Sequence, residues 1–232
     1  MNQIVFYWVS KSIEIPSYLV KTIRLIYKNE INIIQISDND TLKIPGVNEV
    51  KRIHITKNIM IDRVKGYSII NTKNNNTLFL DADSLCLNKV NFNNYKKGIY
   101  LTKRKTNYLI NFNNPEYYPE FVDKRFCDVM PYLFGSILII NKVNFFNELL
   151  AILNELPERF HRWYGDQYAL KKLYEKNIIN FDFIDKDFLY IVELDGVTKK
   201  INLNLNEKIK ILTFKGPTKQ YIKTIYKKLI NV

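Results

Sequence analysis

Two aspartates separated by one residue, Asp81 and Asp83, directly follow a short apolar segment. Residues 77–80 have the composition of a buried strand, and the acids come where that strand ends. Since side chains two residues apart in an extended chain point the same way, both carboxylates can be directed at one point in space. Two carboxylates held together repel each other unless a cation lies between them. Hard oxygen ligands that leave positions open for phosphates suit Mg²⁺ or Mn²⁺, so we predict a metal–diphosphate site.

Two later segments combine charged residues with a glycine turn. Gly165 precedes Asp166, which can begin a helix as a cap or first-turn acid. In residues 211–219 a predicted strand ends in a turn where Gly216 lies between two lysines. Glycine lets the backbone approach a phosphate closely, and lysine supplies a point charge. Taken singly, the first segment could be a plain helix cap and the second an ordinary strand-to-helix turn.

The elements that would position these residues alternate between strand and helix. Strands are predicted over 3–9, 32–36, 51–55 and 77–80, and helices over 17–28 and 60–70. This alternation is typical of a mostly parallel α/β sheet with helices on both faces. Ligands of such sheets bind beyond the carboxyl ends of the strands, where Asp38, Asp81 and Asp83 are all expected.

The pattern changes after the two acids. Residues 102–120 are rich in Lys, Asn, Tyr and Pro, and we expect an irregular insertion that could close over a ligand. The remaining predicted elements are strands at 132–140, 188–192 and 209–214 and helices at 144–156, 166–176 and 219–230. We find no internal repeat and no domain boundary, so a single domain over 1–232 is predicted.

Composition limits the class of protein. The chain has 232 residues, of which 47% are hydrophobic, enough for one compact domain. Its net charge of +12 attracts polyanions such as nucleic acid, anionic lipid or phosphorylated substrates. The first residues lack a secretion signal, no apolar run is long enough for a membrane span, and Cys86 and Cys127 need not pair. We therefore expect a cytoplasmic protein.

Together, the three motifs resemble those of the nucleotide-sugar glycosyltransferases of the A-fold type, most closely glycosyltransferase family 8. The shared features are Asp-x-Asp after a strand, a later Asp-Gln before a helix, and a late Phe-x-Gly-x-x-Lys turn. The resemblance extends from the first strand to Lys219. It implies a single Rossmann-like A-fold domain with a nucleotide-binding part over 1–87 and an acceptor-side part over 88–232.

The resemblance also implies a role for each matching position. Asp81 and Asp83 would bind Mn²⁺ or Mg²⁺ on the donor diphosphate, and Lys219 would reach the same diphosphate. Asp166 and Gln167 would line the sugar and acceptor side as the catalytic residues. The other implied donor contacts are Val9, Ser10, Asp38, Arg63, Ala82 and Gly216.

The sequence departs from the family in two places. Thr213 stands where the family has a metal-ligating histidine, three residues before the glycine of the late motif. Residues 134–136, Phe-Gly-Ser, lack the usual Asn-Ser-Gly order. The first departure concerns the third protein ligand of the metal.

The resemblance implies metal-dependent transfer of a hexose from a UDP-sugar to a glycan or lipid-linked acceptor, with retention of configuration. Nucleic acid is not an expected partner. The helix over 219–230 has one apolar face and several lysines, so it could rest on an anionic membrane or simply pack on the domain.

Three other functions compete with this interpretation. A haloacid-dehalogenase-like phosphatase shares Asp-x-Asp, but that motif normally opens the chain, and Leu170 stands where its later acid belongs. A sugar nucleotidyltransferase needs a glycine-rich loop after the first strand, whereas the first glycine here is Gly46. A basic nucleic-acid-binding module explains the charge but neither acidic motif.

Overall fold

A seven-stranded sheet runs through the centre of the molecule, and a three-stranded sheet lies beside it. The computed structural model describes residues 1–105, 109–110, 116, 118–185, 187–194, 201, 203 and 205–230. Its strands are β1 (Asn2–Tyr7), β2 (Asn32–Ser37), β3 (Glu49–Arg52), β4 (Asn76–Asp81), β5 (Ser84–Cys86), β6 (Gly98–Lys103), β7 (Tyr132–Ile140), β8 (Asp182–Phe183), β9 (Leu189–Val192) and β10 (Ile211–Phe214). The large sheet has the order β3-β2-β1-β4-β7-β6-β8, and the small sheet has the order β5-β10-β9.

The large sheet is mostly parallel, as the sequence predicts. Strand β1 pairs in parallel with β2 and with β4, so Tyr7 lies opposite Ile36 on one side and Asp81 on the other. Strand β7 is the exception, because it runs antiparallel to both β4 and β6. All nine residues of β7 are buried, in keeping with a strand covered on both faces.

Helices cover both faces of the large sheet. The helices of the described residues are α1 (Glu14–Tyr27), α2 (Ile59–Ser68), α3 (Phe126–Val129), α4 (Phe145–Glu155), α5 (Gly165–Glu175) and α6 (Ile222–Ile230), of which α1, α2, α4 and α5 pack on the large sheet. Alternate residues of β1 point to opposite faces. Ile4 and Phe6 pack with Leu19 of α1, whereas Val5 belongs to the cluster that contains Val64 of α2 and residues of α4 and α5. The predicted α/β fold class is confirmed.

The last helix is divided in the structure. Residues Gly216–Tyr221 form a 3-10 helix, and α6 follows at once. The apolar face of α6 packs into the cluster formed with the small sheet, to which Leu85, Leu212 and Phe214 also belong. That face is therefore used inside the domain, and the packing does not support membrane contact. In the described part of the chain, no helix combines the length and apolar character needed to cross a bilayer.

Several predicted boundaries shift. Helix α1 begins at Glu14, three residues before the predicted start. Pro16 fits in its first turn because the first N–H groups of a helix have no partner within the helix, so the N–H that proline lacks is not missed. Strands β5 and β6 were not predicted, and β6 takes in the start of the expected insertion over 102–120. Residues 106–108, 111–115 and 117 of that insertion lie outside the described residues.

Candidate functional site

Asp81 and Asp83 lie at the carboxyl end of β4. Asp81 is the last residue of β4, and Asp83 immediately precedes β5. The Asp83 carbonyl accepts a hydrogen bond of 2.9 Å from the Phe214 N–H, so the small sheet fixes the backbone at the second acid. Both carboxylates are largely buried, with 11% and 9% of the two side chains exposed. Their position is the one predicted from the strand pattern.

Three basic side chains from two distant segments surround these carboxylates. Arg63 Nη1 lies 3.0 Å from Asp81 Oδ1. Lys215 Nζ bridges the two acids, since it pairs with Asp81 Oδ2 and lies 3.4 Å from Asp83 Oδ1. Lys219 Nζ lies 2.9 Å from Asp83 Oδ2. Each of the four carboxylate oxygens therefore faces a protein nitrogen that carries positive charge.

Arg63 connects this pair of acids to Asp166. Its Nη2 pairs with Asp166 Oδ2, and Asp166 is only 1% exposed. Asp166 Oδ1 accepts a hydrogen bond of 2.7 Å from the Gln167 N–H. The guanidinium also lies over the Phe134 ring, 4.3 Å from its centroid, which holds it in place by a cation–π contact. A single arginine thus joins the end of β4 to the start of α5.

The surrounding charges favour the ionised forms of Asp81 and Lys215. Burial raises the pKa of Asp81, but the charges of Lys215 and Arg63 outweigh it and hold that pKa below its ordinary value. Burial lowers the pKa of Lys215, but Asp81 and Asp83 outweigh it and hold that pKa above its ordinary value. Asp81 and Lys215 are therefore both charged around neutral pH.

A glycine makes room for the first acid. Gly135 lies in β7, the neighbour of β4, and a Cβ built on it would be 2.7 Å from Asp81 Oδ2. Any larger residue would therefore push the carboxylate out of its present position. The sequence analysis did not select Gly135 or Lys215 as site residues. The signals were a glycine inside an apolar strand, which often marks a close approach, and a second lysine beside the late glycine.

The start of α5 is built on a second close approach. A Cβ at Gly165 would lie 1.9 Å from the Phe160 carbonyl oxygen, so only glycine fits there. This brings Asp166 into contact with Arg63. Gln167 points elsewhere, because its Oε1 accepts a hydrogen bond from Arg104. Of the two predicted catalytic residues, the structure joins Asp166 to the charged cluster and ties Gln167 to Arg104.

Three of the predicted donor contacts, Val9, Ser10 and Asp38, lie in the loops that follow β1 and β2. Asp38 Oδ1 accepts a hydrogen bond of 2.8 Å from the Thr41 N–H, and the hydrogen bond from the Thr41 side chain is the main reason that the pKa of Asp38 is lowered. The Thr41 hydroxyl also accepts a hydrogen bond of 3.1 Å from the Ser10 N–H. Ser10, which follows Val9 in the chain, is therefore held near Asp38 at the same edge of the sheet as Asp81.

The two small residues of the prediction have backbone roles. Ala82 is buried, and its side chain belongs to the apolar cluster under α1, so it separates the acids without facing outward. Gly216 has a positive φ of 52° and open space where a Cβ would be, so it lets the chain turn between Lys215 and Lys219.

Asp81 and Asp83 are the two acids that the resemblance assigns to a metal ion. In the described ranges, no group of three or more His, Cys, Asp or Glu side chains is placed to hold a metal ion. Thr213 stands at the position of the metal-ligating histidine of glycosyltransferase family 8. It is buried, and its hydroxyl oxygen has no hydrogen-bond partner among the described residues. The oxygens of Asp81 and Asp83 already face Arg63 and the lysines.

Comparison with known proteins identifies the fold. No family model and no curated protein matches the sequence. Among solved structures, the galactosyltransferase LgtC in complex with donor and acceptor sugar analogs has a TM-score of 0.60 and 12% identity, and the match covers 99% of this chain and 97% of that one. A structure of an active-site mutant of LgtC has a TM-score of 0.60 and 11% identity, with 99% of this chain and 95% of that one covered. The chain therefore has the glycosyltransferase A fold that its motifs predict.

Proposed function

We propose that this chain is a glycosyltransferase that moves a hexose from a nucleoside-diphosphate sugar, with a UDP-sugar as first candidate, to a glycan or lipid-linked saccharide. The observation that carries the proposal is the basic cluster around Asp81 and Asp83. It lies at the carboxyl edge of a sheet whose fold matches a galactosyltransferase solved with donor and acceptor sugar analogs. Ligands of α/β sheets bind at that edge.

The donor would lie along the edge from β2 to α5. The loops that hold Ser10 and Asp38 would contact the nucleoside. The side chains of Lys215 and Lys219 are both about half exposed, and their ammonium groups would meet the diphosphate. The transferred sugar would then lie towards Asp166. This order follows the strand order β2-β1-β4 and the contact between Arg63 and α5.

The reaction needs positive charge beside the leaving nucleoside diphosphate, which carries negative charge. The acceptor oxygen bonds to the anomeric carbon on the face from which the leaving group departs, while the bond from that carbon to the β-phosphate oxygen breaks. The nucleoside diphosphate leaves with the electron pair, and its β-phosphate oxygen takes the proton of the acceptor hydroxyl. Lys215, Lys219 and Arg63 are fixed in advance, so they would stabilise the developing negative charge without rearrangement. We expect retention of configuration, as the family resemblance implies.

The competing functions receive no support from the site. A phosphatase nucleophile at Asp81 would need a free oxygen, yet one of its oxygens pairs with Arg63 and the other with Lys215. A nucleic-acid-binding module does not need three cations gathered around acids at one sheet edge. The Mn²⁺ or Mg²⁺ expected at Asp81 and Asp83 stays a prediction, and the ion pairs around these carboxylates argue against it.

Isothermal titration of UDP, GDP and CMP, with Mn²⁺ present, tests the proposal. We expect one nucleotide to bind, and the Asp83→Asn variant to lose that binding because it loses the partner of Lys219. Asp182→Asn is the matched control, since Asp182 is an exposed acid in β8 at the far edge of the sheet. If none of the nucleotides bound, the glycosyltransferase proposal would be wrong.

A further inference from the structure

Lys215 occupies the point towards which both carboxylates are directed. Its Nζ pairs with Asp81 Oδ2 and with Asp83 Oδ1, one oxygen from each acid. The two remaining oxygens face Arg63 and Lys219. Adjacent carboxylates need a cation between them. In this chain a lysine ammonium fills that need.

The side chain of Lys215 also reaches solvent. The side chain of Lys215 is 45% exposed, whereas those of Asp81 and Asp83 are 11% and 9% exposed. A diphosphate that approached this edge would therefore meet Lys215 and Lys219 before it met the acids. The acids are placed to hold the lysines, and the lysines are placed to hold an anion.

The protein also offers little to a competing divalent ion. Such an ion would have to displace Lys215 from both acids before it could reach two carboxylate oxygens. Thr213 stands where the family has a histidine ligand, and its buried side chain offers only a neutral hydroxyl, which is a weaker ligand than a carboxylate. Strand β10 therefore leads directly into Lys215 and contains no strong metal ligand.

We propose that Lys215 takes the place of the divalent cation in the donor site, so that binding of a nucleoside diphosphate does not require a metal ion. The inference rests on the proposed function. It assigns to one side chain a task that the sequence resemblance gives to Mn²⁺ or Mg²⁺. Lys219 and Arg63 supply the rest of the positive charge that faces the diphosphate.

Titration of UDP into the wild-type protein, first with EDTA and then with Mn²⁺, tests the inference directly. We expect the two affinities to agree within about twofold, because the countercharge is already part of the chain. Loss of wild-type binding in EDTA with recovery in Mn²⁺ would overturn the inference and leave the proposed function intact. Absence of UDP, GDP and CMP binding in both buffers would overturn the proposed function itself.

A variant gives a second, opposite signature. Lys215→Met keeps the apolar stem but removes the ammonium, so UDP affinity in EDTA should fall about tenfold or more. The freed carboxylates should then bind Mn²⁺, and Mn²⁺ should restore part of the UDP affinity. Lys208→Met is the matched control, since Lys208 is exposed just before β10. If Lys215→Met matched wild type in both buffers, Lys215 would have no such role.

Discussion

The position of the Asp81 carboxylate can be tested by a single added methyl group. In the Gly135→Ala variant the new Cβ would lie 2.7 Å from Asp81 Oδ2, so the carboxylate must move by about 0.7 Å to restore an ordinary contact of 3.4 Å. Stretching the 3.0 Å pair with Arg63 by this amount costs about 1 kcal/mol at an effective dielectric constant of about 20. That energy corresponds to about a fivefold change in an equilibrium constant.

The expected result is weaker donor binding in a folded protein. Because Asp81 also holds Lys215, its displacement moves the ammonium that would face the diphosphate, and we expect UDP affinity to fall about fivefold. Isothermal titration gives the affinity, and urea unfolding shows whether the fold is intact. Gly98→Ala in β6 is the control, since its Cβ would be in ordinary contact with Tyr100 at 3.4 Å.

The comparison between the two glycine variants tests whether the position of the Asp81 carboxylate controls UDP affinity. An unchanged UDP affinity in a folded Gly135→Ala protein would refute the reasoning that the carboxylate position controls the lysine. An equal loss of UDP affinity in Gly98→Ala would show that any methyl group added to the sheet has this effect, and a specific role for the Asp81 carboxylate would be refuted.

Three further predictions concern stability and reactivity. Gly165→Ala should lower the free energy of unfolding in urea by about 3 kcal/mol, because its Cβ would clash with a backbone carbonyl; an unchanged midpoint would contradict this. Arg63→Lys should lower the free energy of unfolding by about 2 kcal/mol in the same assay, because one ammonium replaces a guanidinium that pairs with two carboxylates and buried Asp166 is then only partly neutralised. An unchanged free energy of unfolding would show that the two-sided guanidinium is not needed. With an aromatic disulfide reagent, only Cys127 should react in the native protein, because Cys86 is buried and burial raises its thiol pKa to about 12; two fast thiols would refute this.

The fold was predictable where local patterns determine the structure. Strands β1, β2 and β4 are apolar segments that end in polar residues, and the helices between them have helical spacing, so their order and direction follow from the sequence. The direction of β7 does not, because nine buried residues are equally compatible with a parallel and an antiparallel neighbour. Strand β5 has three residues, too few to show any period.

The site was predictable where a motif lies on one element. Asp81 and Asp83 follow from the end of β4, and Arg63 and Asp166 follow from the resemblance. The contact between Lys215 and Asp81 could not be predicted, since it depends on the antiparallel pairing of Thr213 with Ser84 between residues far apart in the sequence. Pairing of this kind is decided by the path of the chain and not by local preference.

The separation between the acids and their lysines has a consequence for how the molecule is assembled. Lys215 follows Asp81 by 134 residues, and β10, which leads into it, is the middle strand of the small sheet. While the chain is being synthesised, β5 has no partner strand until β10 emerges, and Arg63 is the only cation of the cluster already made. Asp81, Asp83 and Asp166 then outnumber Arg63, and the charges balance only when β10 pairs with β5 and brings in Lys215 and Lys219. The two ammonium groups that would meet an anion are therefore among the last parts of this site to form as the domain folds.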